Sequence, residues 1–198
     1  MIEVEKKFVL TTDNLTKLTK GAKFVGEKSF TDSYYDTVDY ALSLKDHWLR
    51  DRNSKWELKV PYNNNIPKGK RVSDQYKEIE NEKEISTQLG FDLEKPLVES
   101  LEVNGYKPFA TISTHRKKYS KDGFAIDVDS ASYGYGIIEI ELMVEKESEM
   151  EGATKKILEF ARSLGLSEGV IRGKISEYLF RFNPADHAKL LAAGVLSK

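Results

Sequence analysis

The stretch Ile126 to Val144, IDVDSASYGYGIIEIELMV, sets its acidic residues on alternate positions. Asp127 and Asp129 fall on one face of an extended chain, with Ile126 and Val128 on the other. Beyond Gly134 and Gly136 the alternation resumes, with Glu139 and Glu141 opposing Ile138, Ile140, Leu142 and Val144. Successive strand side chains point to opposite sides of a sheet, so each segment has one ionic and one apolar face. The pattern extends along the chain in both directions. Glu3, Glu5 and Lys7 alternate in IEVEKKF, Trp48, Arg50 and Arg52 in HWLRDR, and Lys55, Glu57 and Lys59 in KWELKV. Tyr76, Glu78 and Glu80 do so in QYKEIE, and Thr114, Arg116 and Lys118 in THRKKY.

Two architectures accommodate such strands. An open sheet packs its apolar face on helices and leaves its charges in water; a closed sheet turns the charges inward and lets helices cover the apolar outside. Roughly eight strands are present, enough for closure. The grouping of charge bears on the choice, because the acids come as EVE, DVD and EIE and the bases as RDR. Like charges about 5–7 Å apart repel by tenths of a kcal/mol or more, depending on the dielectric. Repetition of that liability points to compensating ligands, a cation for the acids and an anion for the bases.

Other segments read as helices and turns. TTDNLTKLTKGA offers a Thr or Asp N-cap, Leu15 and Leu18 at helical spacing, and Gly21 as a stop. DSYYDT and ALSL read as extended, followed by two strands turning at Asn53-Ser54. YNNNIPKGKRVSD reads as an exposed loop. Two short helices are expected around Pro96, the second ending at Gly105, and a hairpin turn at Asp122-Gly123. EMEGATKKILEFARSLGL predicts an amphipathic helix with Ile157, Leu158, Ala161 and Leu164 on its apolar stripe. GKISEYLFRF predicts another helix, and a weaker helical segment follows Pro184.

Composition removes several function classes. The chain has 198 residues, 39% hydrophobic and 32% charged, with 31 basic and 32 acidic side chains and a net charge of −1. That is a globular profile with no polyanion-coating surface, so no nucleic-acid partner is expected, and the basic KGKR run is a solvated loop. The absence of cysteine excludes disulfides, thiolate nucleophiles and cysteine-ligated metals. Charges at residues 3, 5, 6 and 7 argue against a signal peptide, and no apolar run suits a membrane span. A cytoplasmic, monomeric, single-domain protein over residues 1–198 is the expectation.

Carboxylate oxygens are natural ligands for Mg²⁺ or Mn²⁺, and Arg and Lys suit phosphate oxygens. A cavity holding both would bind a metal-chelated polyphosphate. The three histidines are scattered and no G-x-S-x-G occurs, so a serine triad is not expected. GVIRGKIS fails the spacing of a nucleotide phosphate loop, and the glycines of SYGYG suit a bulge or bend.

In order, EVEKK, WLRDR, WELK, YKE, HRKKY, IDVDSASYGYG, EIE and GKISEYLFRF resemble the CYTH family, the triphosphate tunnel metalloenzymes, from residue 1 to about residue 186. Within it the stretch from DSYYDT to WELKVP is similar to the animal branch that acts on thiamine triphosphate. The resemblance implies an α+β fold, a closed antiparallel eight-stranded β-barrel with a charged interior flanked by helices. It implies an enzyme that hydrolyses the terminal phosphate of thiamine triphosphate with Mg²⁺, Mn²⁺ being the alternative, on a small-molecule substrate alone. By the same resemblance, Lys7, Arg50, Arg52, Lys59, Arg116 and Lys174 would grip phosphate, and Glu3, Glu5, Asp127, Asp129, Glu139 and Glu141 would take up metal. Glu139 and Glu141 are ranked for the ion chelated to triphosphate, and Glu3 and Glu5 for one that positions water. Glu78 would orient the cluster, and Lys118 and Glu80 share the inward parity without a motif match. Lys174, on a helix, must reach in from the tunnel mouth. Trp48, one pleat beyond the arginines, would stack on the cationic thiamine. Inorganic tripolyphosphatase, adenylyl cyclase and a non-catalytic polyphosphate-binding module remain the alternatives.

Overall fold

The structure is a computed structural model that describes residues 2–62, 74–166 and 171–196. The alternating segments form β1 (Ile2–Val9), β2 (Lys23–Asp36), β3 (Trp48–Arg52), β4 (Trp56–Pro61), β5 (Asp74–Ile79), β6 (Lys107–Lys121), β7 (Phe124–Ala131) and β8 (Tyr135–Val144). They close into one barrel in the order β1-β5-β4-β3-β2-β6-β7-β8, with antiparallel neighbours throughout. Closure falls to β1, which pairs with β5 through Glu3↔Tyr76 and with β8 through Glu5↔Glu141 and Lys7↔Glu139.

Local chemistry sets the corners. Asn53 and Ser54 (φ 51° and 66°) turn β3 into β4, and Asp122 and Gly123 (φ 51° and 85°) turn β6 into β7. Two consecutive left-handed residues give the primed turn whose twist matches a hairpin. Gly136 serves a different need: a Cβ there would lie 2.5 Å from Leu10 Cδ2, so a larger residue would push the Leu10 side chain aside where β8 passes the chain leaving β1.

The apolar outer faces are buried under helices. The helices are α1 (Thr12–Thr19), α2 (Glu82–Leu89), α3 (Leu97–Val103), α4 (Met150–Ser163), α5 (Lys174–Phe182) and α6 (Pro184–Ala192). Val4, Phe8, Ile126, Val128, Ile138 and Ile140 pack with Ala153, Ile157, Phe160 and Ala161 of α4. Leu49, Leu58 and Ile79 pack with Ile85 of α2 and with Leu97 and Leu101 of α3. Leu179 of α5 and Leu190 of α6 join Tyr34, Trp48, Tyr76 and Ile112, so the last two helices cover the aromatic part of the barrel.

Three local expectations are corrected. ALSL is no strand: it turns through a short 3₁₀ helix, Ser43–Lys45. Buried Asp36 accepts from the backbone N–H groups of Thr37, Leu42 and Ser43 and from Ser43 Oγ, which holds the turn closed against the strand pattern. Lys55 lies between the left-handed corner at Asn53-Ser54 and the start of β4, and is exposed rather than inward. On α4 the buried stripe is Ala153, Ile157, Phe160 and Ala161, with Leu158 only half-buried, a rotation that stacks Phe160 on Phe124 at 4.3 Å between centroids. The expected KGKR loop, residues 68–71, lies outside the described residues.

Candidate active site

Inward-facing side chains enclose a cavity of about 300 Å³ along the barrel axis. β1 contributes Glu3, Glu5 and Lys7; β3 Trp48, Arg50 and Arg52; β4 Glu57 and Lys59; β5 Asp74, Tyr76 and Glu78, with Glu80 just beyond. β2 adds Lys28 and Tyr34, β6 Arg116 and Lys118, β7 Asp127, β8 Glu139 and Glu141, and the start of α5 adds Gly173, Lys174 and Ile175. The pleat accounts for the set, since each strand sends its even or odd positions inward together.

These charges pair across the lumen. Lys7 pairs with Glu5 and, at 2.6 Å, with Asp74. Lys59 bridges Glu78 at 2.5 Å and Glu3 at 3.3 Å. Arg50 pairs with Glu57, while Arg52 donates from Nε and Nη2 to the two oxygens of Asp32 at 2.6 and 2.9 Å. Arg116 makes the same fork with Asp129 at 2.6 and 2.7 Å, donates to Glu139 at 2.6 Å, and faces Asp127. Lys174 pairs with Asp129 and lies 3.7 Å from Glu139. Forked Arg–carboxylate pairs fix the guanidinium plane, so Asp32 and Asp129 hold the Arg52 and Arg116 guanidinium groups in set orientations.

Electrostatics divide the acids into two kinds. Burial pushes the Glu139 carboxyl up, but Lys174, Arg116 and Lys7 outweigh it and hold the group well below the usual range. Glu141 has no such partners among the described residues. Burial, then the charges of Glu3, Asp127, Glu139 and Glu5, push it up to about 9. Asp127 and Glu3 are likewise raised, chiefly by burial, with Arg116 and Lys118 opposing at Asp127 and Lys59 opposing at Glu3. Lys7 and Lys59 are held well above the ordinary lysine value against their burial, Lys7 mainly by Asp74 and Glu5 and Lys59 mainly by Glu3 and Glu78.

A divalent cation suits this acidic wall. Glu5, Glu139 and Glu141 each offer an oxygen, all within 4.8 Å of one another. Beside them Asp127 is fully buried; its Oδ1 makes no hydrogen bond among the described residues, while Oδ2 is ion-paired with Arg116 and lies 3.5 Å from Lys118 Nζ. Burying several carboxylates around a common point is costly unless a cation joins them. Glu57, Glu78 and Glu80 form a second close group, the last two exposed at the rim.

Of the residues singled out in the sequence, all but Asp129 line the cavity, including Glu80 and Lys118. Asp129 is fully buried behind it, with both oxygens occupied by Arg116 and one also by Lys174. Lys174 is the first residue of α5 and reaches in from the end that helix covers. Five participants escaped the sequence reading, among them Asp74, read as part of a loop. Lys28, Asp32 and Tyr34 share one face of β2, but FTDSYYD mixes charged, hydroxyl and aromatic residues and masks its period. Lys28 has no carboxylate partner among the described residues; partial burial, then Lys118, Arg116 and Arg52, hold its ammonium below the ordinary value. Asp46, in the turn before β3, accepts from the Trp48 indole N–H at 2.8 Å and from the Tyr76 hydroxyl at 2.9 Å.

One triad-like arrangement was not foreseen. Ser29 Oγ lies 3.1 Å from His115 Nδ1, and Glu27 lies 3.4 Å from His115 Nε2. All three are exposed on the outer face of β2 and β6 and border no part of the cavity. Among the described residues these contacts border no cavity that could use them.

Comparison with known proteins agrees with this geometry. The CYTH domain profile matches residues 1–172. Human thiamine-triphosphatase is 32% identical over 211 aligned residues, covering 96% of this chain and 90% of that protein. The Macaca fascicularis thiamine-triphosphatase is 31% identical over the same shares. Among solved structures, a Pyrococcus horikoshii protein superposes with a TM-score of 0.66 at 23% identity, covering 90% of this chain and 99% of that one. The closed eight-stranded tunnel, its facing acidic and basic walls and the match over most of its length place this chain in the CYTH domain family.

Proposed function

We propose that the protein hydrolyses thiamine triphosphate to thiamine diphosphate and phosphate, acting as a cytoplasmic, single-domain monomer with Mg²⁺. The observation that carries the reading is the cavity itself, where eight Lys and Arg side chains converge opposite an acidic wall with aromatic rings close by. The human and macaque relatives, both thiamine-triphosphatases, support the substrate.

Lys7, Arg50, Arg52, Lys59, Arg116 and Lys174 bind the triphosphate oxygens, exchanging carboxylate partners for phosphate. Asp32 and Asp129 keep the Arg52 and Arg116 forks aligned during that exchange. Bound at Glu5, Glu139 and Glu141, with Glu3 and Asp127 adjacent, divalent cations would neutralise phosphate charge and activate water. Water attacks the terminal phosphorus, the bond to the bridging oxygen breaks, and the diphosphate leaves with the electron pair. The basic residues stabilise the charge that develops there. Glu78 holds Lys59 in place at 2.5 Å, and Trp48 packs against the organic group.

A phosphate-release panel over thiamine triphosphate, tripolyphosphate and ATP, each with Mg²⁺ and Mn²⁺, tests the reading. Preference for thiamine triphosphate, lost in Trp48→Ala, is the expected result. Equal or better use of tripolyphosphate, indifferent to that substitution, would make the protein a tripolyphosphatase. The packing of Trp48 among Leu179, Leu190 and Tyr34 favours that second reading, since the ring also has a structural place. Tight metal-dependent binding with no phosphate released would leave only a binding module.

A further inference from the structure

We propose that Lys28 and Lys118 form an outer anion subsite at the exposed rim of the tunnel, where the fourth phosphate of a linear polyphosphate chain binds beyond three held inside. The subsite rests on the reading above, which sets a triphosphate against Lys7, Arg50, Arg52, Lys59, Arg116 and Lys174, and it extends the ligand class to chains one phosphate longer.

The inward face of β2 marks the axis. Tyr34 packs with Leu179 of α5 and Leu190 of α6, so helices cover that end of the tunnel. Toward the other end come Asp32, in register with Arg52 on β3, then buried Phe30, then Lys28, in register with Arg116 on β6. From Tyr34 to Lys28 the strand runs about 20 Å at the usual rise per residue. Lys28 and Glu80 are exposed and Lys118 is half-buried, which makes theirs the wet end. Phe30 gathers three of the cations there: its ring centroid lies 4.2 Å from Arg52 Cζ, 5.5 Å from Lys28 Nζ and 5.6 Å from Arg116 Cζ. A ring face attracts each of them and so offsets part of their mutual repulsion.

Charge counting singles out the pair. Of the eight Lys and Arg side chains lining the cavity, six are engaged by three phosphates in that reading, and Lys28 and Lys118 remain. They are diagonal neighbours across the β2–β6 pairing, since Lys118 stands opposite Gly26. Asp32 and Asp129 already fork to the two guanidinium groups, and Lys118 Nζ lies 3.5 Å from Asp127. Lys28 has no carboxylate partner among the described residues. Partial burial, then Lys118, Arg116 and Arg52, lower its proton affinity against the pull of Asp127, so its surroundings hold surplus positive charge. An anion placed between the two ammonium groups relieves that surplus, and lysine heads serve phosphate oxygens as point charges. Across the barrel Glu78 and Glu80 end the β5 side of the same rim, where they repel an emerging anion and steer it toward β2 and β6.

The test uses the full chain with tripolyphosphate and tetrapolyphosphate as ligands, binding being read calorimetrically with a chelator present so that metal-dependent turnover does not intervene. Wild type should bind tetrapolyphosphate about tenfold more tightly than tripolyphosphate, and Lys28→Gln and Lys118→Gln should each cut that ratio about threefold. Lys117→Gln, on the exposed outer face of β6, controls for the mere loss of one positive charge and should leave the ratio as it is. Arg52→Ala controls for the underlying reading and should weaken both ligands. If Arg52→Ala leaves tripolyphosphate binding intact, the triphosphate is not held where that reading puts it, and the reading falls. If Arg52→Ala weakens binding while Lys28→Gln changes both ligands equally or neither, the outer subsite falls and the reading stands. A wild-type ratio near one, or a ratio lowered as much by Lys117→Gln as by Lys28→Gln, also overturns the subsite.

Discussion

Lys174 opens helix α5, yet its ammonium pairs with Asp129 on β7, 45 residues earlier in the chain. The covering helix is therefore tied to the tunnel by the same carboxylate that forks to Arg116. A side chain in that position links the covering helix to the charged lumen.

Replacing Lys174 with alanine should raise KM for the triphosphate substrate by tenfold or more and lower the melting temperature. Breaking a buried pair commonly costs about 3–5 kcal/mol, and here Arg116 remains on Asp129 to soften the loss. Phosphate release and thermal melts measure the two effects separately. An unchanged KM would remove Lys174 from the substrate-binding set.

Arg52→Ala and Glu139→Gln should each lower kcat/KM about a hundredfold or more, the scale expected when a charge aimed at the transition state is removed. Phosphate release under saturating Mg²⁺ is the measurement. Retention of turnover by both variants would show that the chemistry occurs elsewhere.

Metal-free stability should fall with rising pH through Glu141. Its carboxyl stands at about 9 in the folded chain against an ordinary value of 4.5, so the folded state holds a proton that the unfolded state has lost. The contribution is complete below the ordinary value and disappears as pH climbs to the raised one. Glu141→Gln should flatten that slope and raise the neutral-pH melting temperature of the metal-free protein by a few degrees. The same variant should lose the thermal stabilisation that Mg²⁺ gives the wild type. Melts across pH with a chelator, and then with Mg²⁺, provide the comparison; identical wild-type and variant slopes would disprove the Glu141 assignment.

Ser29→Ala and His115→Ala should leave phosphate release within about twofold of wild type, because exposed side chains away from special features rarely matter by more than tenths of a kcal/mol. A large loss in either would mean that the outer Ser-His-Glu arrangement participates after all.

The parts legible in the sequence were those governed by strict period two. EVE, DVD and EIE alternate cleanly with Ile and Val, and the barrel carries their acids inward and their hydrophobes under α4, apart from Asp129, which lies behind the cavity wall. What escaped was set by contacts that no local pattern reports. ALSL has strand-like composition, but the hydrogen bonds of Asp36 override it. Asp46 lies in a turn, and its importance exists only once Tyr76 arrives from β5. Asp74, the last residue of the segment read as an exposed loop, instead opens β5 and gains its meaning from Lys7 across the β1–β5 pairing.

The ring closes where Ile2 meets Val144 and Tyr76 meets Glu3, so the strand made first on the ribosome waits for the one made last among the eight. Such distant pairing favours late assembly, after the locally connected hairpins have formed. Until that final seam zips, Glu3, Glu5 and Lys7 remain hydrated, and the penalty of gathering so many charges is deferred to a nearly complete cylinder. A truncation at the amino end would accordingly leave two unprotected sheet edges prone to sticking to other chains, rather than a smaller working tunnel.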